Sequence, residues 1–298
     1  MSQSATKLET SLSPNSTTQA QVGESGNPLG EFVQETLALT KRLFIQLQRR
    51  PSTLIAGVIQ PLMWLILFGA LFYNAPEGLL GEGVSYGKFL APGVIVFTAF
   101  SGALNAGLPV MFDREFGFIN RLLVAPLVSR FSIVAASTIY IIALSFIQTA
   151  AIVAASAFIG AGLPSLAGLG AIALIVLLIV LGVTALSLGL AFALPGHVEL
   201  IAVIFVTNLP LLFASTALAP FSFMAGWLKV VSTFNPLTYA IEPIRHIYTN
   251  ADWALSSAVM QTPWGSISFS GVLLDPYCVA ASHKLLDSLN LFSSGRGL

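Results

Sequence analysis

From residue 31 onward, long apolar runs alternate with short charged ones. A helix that crosses a bilayer needs about 20 mostly apolar residues, so runs of that length define the expected elements. Residues 54–73 form the first, without an acidic or basic side chain. Residues 89–112 form the second, interrupted by Pro92 and Pro109. From Phe131 to Leu194 no acidic or basic side chain occurs, and a stretch of that length is too long for one helix. Gly160-Ala161-Gly162-Leu163-Pro164 divides it, predicting helices over 131–160 and 166–194. Pro195-Gly196-His197 ends that pair, and a fifth helix is predicted over 199–219. After a mixed stretch at 220–265, residues 266–281 are apolar but contain Asp275-Pro276. A carboxylate and a proline suit a spanning helix poorly. The expected fold is therefore an all-α membrane protein, a six-helix transmembrane bundle with five helices clear and the sixth doubtful.

The stretch ahead of the first span has a different pattern. Phe32, Leu37, Leu39, Leu43, Phe44 and Leu47 recur at roughly helical spacing among Glu31, Glu35, Lys41, Arg42, Arg49 and Arg50. This predicts an N-terminal interfacial amphipathic helix, with apolar side chains towards lipid and basic groups towards phosphates. The plainer reading, a basic flank that sets topology, is compatible with it. Residues 1–30 are rich in Ser, Thr, Gln and Asn and predict a disordered cytosolic leader. The domain reading is a leader at 1–30, a transmembrane domain at 31–281 and a short C-terminal tail at 282–298. Cytoplasmic flanks collect Lys and Arg. With the N-terminus inside, the inner side receives Lys7, Lys41, Arg42, Arg49, Arg50, Arg114, Arg121 and Arg130, and the outer side only Lys88, Lys229 and Arg245.

Composition agrees with the pattern. Charged residues make up 9% of the chain, against about 25% in soluble domains, and the mean hydropathy is +0.85. So little charge cannot cover a water-facing globule, and the bilayer is the natural solvent. Lys+Arg and Asp+Glu both total 13, which gives no basic excess for nucleic acid. The single cysteine, Cys278, excludes an internal disulfide framework and a cysteine-rich zinc site. Histidines at 197, 246 and 283 have no metal-ligand spacing.

Two charged segments stand out. The inner loop Asp113-Arg114-Glu115-Phe116-Gly117-Phe118-Ile119-Asn120-Arg121 combines both signs with aromatic rings. Charges around an aromatic anchor suit a docking surface; alternatively the rings dip back into lipid. On the outer side, Glu242 and Arg245 are three apart and can pair on a helix, as a structural pair or as part of an outer gate. Asn105 and Asn208 sit inside apolar segments near prolines, either lining a pathway or satisfying broken backbone bonds. Ala185, Gly189 and Ala193 repeat at spacing four, which permits close helix approach.

Ion-coupled carriers place ionisable groups at membrane depth. The first, third and fourth spans have none, and the fifth has only Glu199 at its edge. No nucleophile, base or metal constellation suggests a membrane enzyme either. A transporter of this composition borrows its energy from a partner; a secondary carrier or a membrane scaffold is the alternative.

Three stretches carry a family resemblance: Arg49-Arg50-Pro51 leading to Gln60-Pro61-Leu62-Met63-Trp64; Arg114-Glu115-Phe116-Gly117 with Arg121-Leu122-Leu123-Val124-Ala125-Pro126-Leu127-Val128-Ser129-Arg130; and Asn235-Pro236-Leu237-Thr238-Tyr239-Ala240-Ile241-Glu242. Over about 31–250 the chain resembles the type-2 ABC exporter permeases, in the branch of drug-resistance, nodulation-factor and polysaccharide export. It has a further resemblance to the cyanobacterial and plastid-encoded branch. The resemblance implies a non-enzymatic permease that moves an amphipathic or lipid-linked substrate. It implies a homodimer or heterodimer of permeases with separate ABC ATPase subunits, which hold ATP and magnesium while this chain holds no cofactor. Asp113, Arg114, Glu115, Phe116 and Arg121 would form the coupling surface, and Asn105, Asn208, Glu242 and Arg245 a pathway or outer gate. Short helices dipping into the outer leaflet before the sixth span are implied at 220–250. The implied location is the inner (plasma) membrane, or a plastid or thylakoid membrane in that lineage.

Overall fold

The computed structural model describes residues 28–49, 51–72, 86–117, 131–250, 253–262 and 265–274. Most of the leader, the loop at 118–130 with Arg121, and everything from Asp275 onward lie outside the described residues.

Helix α1 (Pro28–Arg49) packs along α5 (Phe131–Phe158). It begins three residues before the expected start. Its inward side carries Thr36 and Thr40, both buried, while Leu29, Val33 and Leu37 are exposed at helical spacing. Helix α2 (Pro51–Leu71) turns Pro61 and Leu65 fully inward and exposes Ile55, Ile59, Met63, Ile66 and Leu67. Helix α3 (Tyr86–Leu104) is the spine of the bundle. Every residue from Phe89 to Phe100 is buried, against α2, α5, α6 (Leu166–Ala193) and α9 (Pro236–Thr249).

The second apolar run is two helices. α3 stops at Leu104 and α4 (Gly107–Glu115) begins after a break at Asn105-Ala106. Pro109 causes it, because its ring excludes the carbonyl four residues earlier, that of Asn105, and it has no N–H to donate. Ser187 of α6 stitches the break. Its Oγ donates to Leu104 O at 2.6 Å and accepts from the Gly107 N–H at 2.9 Å. Only glycine fits at 107, since a Cβ there would meet the Ser187 carbonyl at 2.5 Å. The close approach on α6 therefore uses Ser187 and Ala191; Ala193, in the small-residue repeat read from sequence, is exposed. Pro92, near the start of α3, does not interrupt it.

Ser165 caps α6 by accepting from the Gly168 N–H at 3.1 Å, as N-cap serines do. Helix α7 (His197–Phe213) is shorter than the expected 199–219. At 17 residues it lies at the lower end of spanning length. Its end is set from elsewhere. The Asn235 amide donates to Leu211 O at 2.7 Å and Ala214 O at 2.8 Å, while its Oδ1 accepts from the Leu237 N–H at 2.9 Å. One side chain thus closes α7 and opens α9, with Pro236 in the first-turn position proline favours. Between them lie a 3-10 turn (Phe221–Phe223) and the short helix α8 (Gly226–Phe234).

The all-α expectation needs correction at 258–268. Strand β1 (Ala258–Thr262) pairs antiparallel with β2 (Gly265–Ser268), in register Met260↔Ile267 and Thr262↔Gly265. Ser266-Ile267-Ser268-Phe269 alternates polar and apolar with the period of a strand, which a hydropathy window averages into a continuous run. The apolar segment proposed as a sixth span therefore starts as a strand and continues as the short helix α10 (Phe269–Leu274). Among the described residues, four helical segments are long and apolar enough to cross a membrane, 54–71, 86–115 (α3 and α4 taken together), 131–158 and 166–193, and α7 is a shorter apolar helix.

Candidate functional site

The last turn of α4 joins three helices through three consecutive residues. Asp113 receives both terminal nitrogens of Arg42 on α1, each at 3.2 Å. A two-pronged carboxylate–guanidinium contact fixes orientation as well as distance. Arg114 reaches the end of α6 and donates to the carbonyls of Ala191, Phe192, Leu194 and Pro195 at 2.9, 3.3, 2.5 and 2.9 Å. The last carbonyls of a helix lack intrahelical partners and carry its negative dipole end, so a cation is well placed there. Glu115 does the opposite for α7. Its carboxylate accepts the His197 backbone N–H at 2.6 Å and meets His197 Nδ1 at 2.5 Å, at the positive end of that helix. Gly196 leaves room, because a Cβ there would stand 3.0 Å from Glu115 Oε1.

The neighbouring ring behaves differently. Phe116 is 76% exposed and stacks on Phe112, centroid to centroid 6.0 Å, which in turn lies 5.1 Å from the His197 ring. Gly117 follows at φ 72°, a left-handed turn that glycine takes without steric cost. Of the docking set read from sequence, Asp113, Arg114 and Glu115 are thus committed to partners within the chain, while Phe116 is exposed. Arg121 lies outside the described residues.

Glu242 and Arg245 form a second cluster around the start of α3. Arg245 is 9% exposed. It meets Glu242 Oε1 at 2.5 Å and donates to Thr216 O at 2.5 Å and Phe89 O at 3.3 Å, with its guanidinium 3.8 Å from the Phe89 ring centroid. Burial lowers the guanidinium pKa, while the Glu242 carboxylate acts against that shift. The pair knots α9 to α3 and to the turn after α7, a turn so close to α3 that a Cβ on Gly93 would meet the Ala217 carbonyl.

Asn105 and Asn208 meet around Ser101. Asn105 Nδ2 donates to Ser101 O at 2.7 Å, four residues back at the end of α3, beside the Asn105 backbone N–H that reaches the same oxygen at 3.2 Å. Asn208 Nδ2 donates to Ser101 Oγ at 3.1 Å, and its Oδ1 is buried without a partner among the described residues. Neither asparagine is joined to the Glu242–Arg245 knot by a hydrogen bond among the described residues.

Sequence reasoning passed over Arg42 as a lipid-facing cation, and over His197, Ser187 and Gln148. Glu115 and His197 are 82 positions apart and carry no local signature. Asn235-Pro236 did carry one, the N-cap asparagine followed by proline, and Gln148 was legible as an uncharged amide in the middle of an apolar span.

A family model described as "ABC-2 type transporter" matches residues 34–249. The chain is 56% identical over 243 residues to "Putative transport permease ycf38" of Porphyra purpurea, covering 82% of this chain and 84% of the relative. The same-named protein of Cyanophora paradoxa is 54% identical over the same proportions. "Probable doxorubicin resistance ABC transporter permease protein DrrC" of Mycobacterium tuberculosis is 26% identical over 228 residues, 74% of this chain and 79% of the relative.

Proposed function

The chain belongs to the ABC-2 type transporter family and is a multi-pass membrane permease subunit of an ABC transporter, and from that premise we propose how it couples and what it carries. A separate ATPase subunit binds and hydrolyses ATP. It docks at the cytoplasmic end of α4, where Phe116 enters a pocket on the ATPase. Movement of that ring passes through Asp113, Arg114 and Glu115 to α1, α6 and α7. The observation that carries this reading is that three successive side chains are each tied to a different helix while the next is exposed.

An aromatic anchor in a desolvated pocket is worth about 2 kcal/mol or more, about thirtyfold in affinity. Phe116→Ala is expected to weaken co-purification of the ATPase about thirtyfold while insertion into the membrane is unchanged. Undiminished affinity would assign the ring to lipid instead.

The N-terminus faces the cytoplasm, α1 lies along the inner surface with Leu29, Val33 and Leu37 in lipid, and α8 and α9 sit in the outer leaflet. The basic residues at the 113–130 side support that orientation. Single cysteines at Asn120 and at Lys229, exposed on α8, in a Cys278→Ser background, test it. An impermeant thiol reagent added from outside is expected to label the second position only, and the reverse pattern would invert the topology.

The exposed apolar faces of α2 and α7, with Ile59, Met63 and Ile66 on one and Ile201, Phe205 and Leu209 on the other, suit lipid and a second permease copy. The cargo is an amphiphile. The apolar bundle, and a relative named for doxorubicin resistance, favour that class.

A further inference from the structure

A cavity of about 300 Å³ opens among α2, α3 and α5. It has room for roughly ten waters at about 30 Å³ each, or for one ring-sized polar group. Gln60, Ser101, Asn105 and Tyr140 line it together with Gln148, and no Asp, Glu, Lys or Arg is among the described residues that line it.

Gln148 is 4% exposed and its Oε1 has no hydrogen-bond partner among the described residues. Ser145, on the same face of α5, is 1% exposed and its Oγ is likewise unpaired. Two glycines make space for the amide. A Cβ on Gly57 would fall onto the Gln148 side chain, and one on Gly102 would stand 3.2 Å from its Oε1. A buried amide oxygen without a donor is costly, and leucine would suit an apolar span better. The site therefore maintains an acceptor for something that brings its own donors.

We propose that this cavity binds the uncharged, hydroxyl-bearing head group of an amphiphile, whose hydroxyls donate to Gln148 Oε1. The absence of lining charge selects against phosphate and ammonium heads, since neither would find a counter-charge here. Hydroxyls can both donate to Gln148 and exchange hydrogen bonds with Ser101 and Tyr140. The acyl or alkyl chain leaves past the weakly buried α2 towards lipid. The inference deepens the amphiphile reading above and rests on it for the cargo role alone.

The test uses the full chain in nanodiscs and an alkyl glucoside carrying a diazirine next to the sugar. Photolabel is expected on peptides containing residues 56–60, 98–105 and 140–148. It should be displaced by unlabelled alkyl glucoside and not by an alkyl phosphocholine of equal chain length. Gln148→Leu is expected to lower labelling tenfold or more with a melting temperature equal to or above the parent, because it removes an unpaired polar group. A packing role for Gln148 predicts a lower one. Gln60→Leu, at an exposed rim position, is expected to lower labelling severalfold and carries the test should Gln148→Leu fail to fold. Labelling unchanged in these variants, equal displacement by the phosphocholine, or no label at these peptides (a cavity holding water only) would overturn the proposal. With the ATPase and ATP present, release of bound glucoside marks a cargo and retention marks a resident lipid. Retention would remove the cargo role and leave the site.

Discussion

Replacing Arg114 with alanine is expected to leave the ATPase subunit bound to the permease while export and permease-stimulated ATP hydrolysis fall tenfold or more. Arg114 lies between the exposed ring and the bundle, and its guanidinium donates to carbonyls from Ala191 to Pro195. Hydrogen bonds from a charged donor contribute about 1.5–3 kcal/mol each, and tenfold in an equilibrium corresponds to about 1.4 kcal/mol. Losing a single one is enough to let the α6–α7 corner move independently of α4. Lysine should not rescue, because one ammonium on a flexible stem cannot reproduce the planar fork. The measurement is ATPase activity in proteoliposomes beside a co-purification ratio. Normal stimulation in Arg114→Ala would detach this residue from transmission. The outcome differs from that of Phe116→Ala, where binding itself is lost, so the two variants separate docking from transmission.

Arg245→Ala is expected to cost about 3–5 kcal/mol, the range for breaking one side of a buried ion pair. The Glu242 side chain, 15% exposed, would keep its charge without a counter-ion, and the Thr216 carbonyl would lose its donor. In detergent the yield of monodisperse protein should collapse. The double variant Glu242→Leu/Arg245→Leu should recover most of it, because replacing both charges by apolar groups is often neutral. Failure of the double variant to recover would mean that the guanidinium's contacts to Phe89 and Thr216, rather than the pairing of charge, hold α9 in place.

Much of the membrane architecture was legible because it depends on length and polarity alone. Charge-free runs place α2, α5 and α6 within a few residues of their observed bounds, since nothing else hides backbone polar groups in lipid. What escaped depends on single residues acting at a distance. Pro109 was visible, but whether it bends or breaks the helix turned on Ser187, which supplies an acceptor and a donor across the gap. The hairpin escaped because a window long enough to find spans erases a period of two. The loop charges stood out in the sequence, and composition offered docking as one use for them. Their partners, Arg42, the α6 carbonyls and His197, come from segments far along the chain, where spacing gives no information. Asn105 turned back onto its own helix, and Asn208 reached across to Ser101 beside the cavity; the two had looked alike in sequence.

The central claim, a permease driven by a separate ATPase, is tested most directly by nucleotide turnover with the components apart and together. The purified full chain in nanodiscs is expected neither to bind nor to hydrolyse ATP, and to stimulate saturably the hydrolysis catalysed by its ATP-binding-cassette partner when that subunit is titrated in. ATP bound and hydrolysed by this chain alone, or a partner whose rate is indifferent to it at every concentration, would contradict the account.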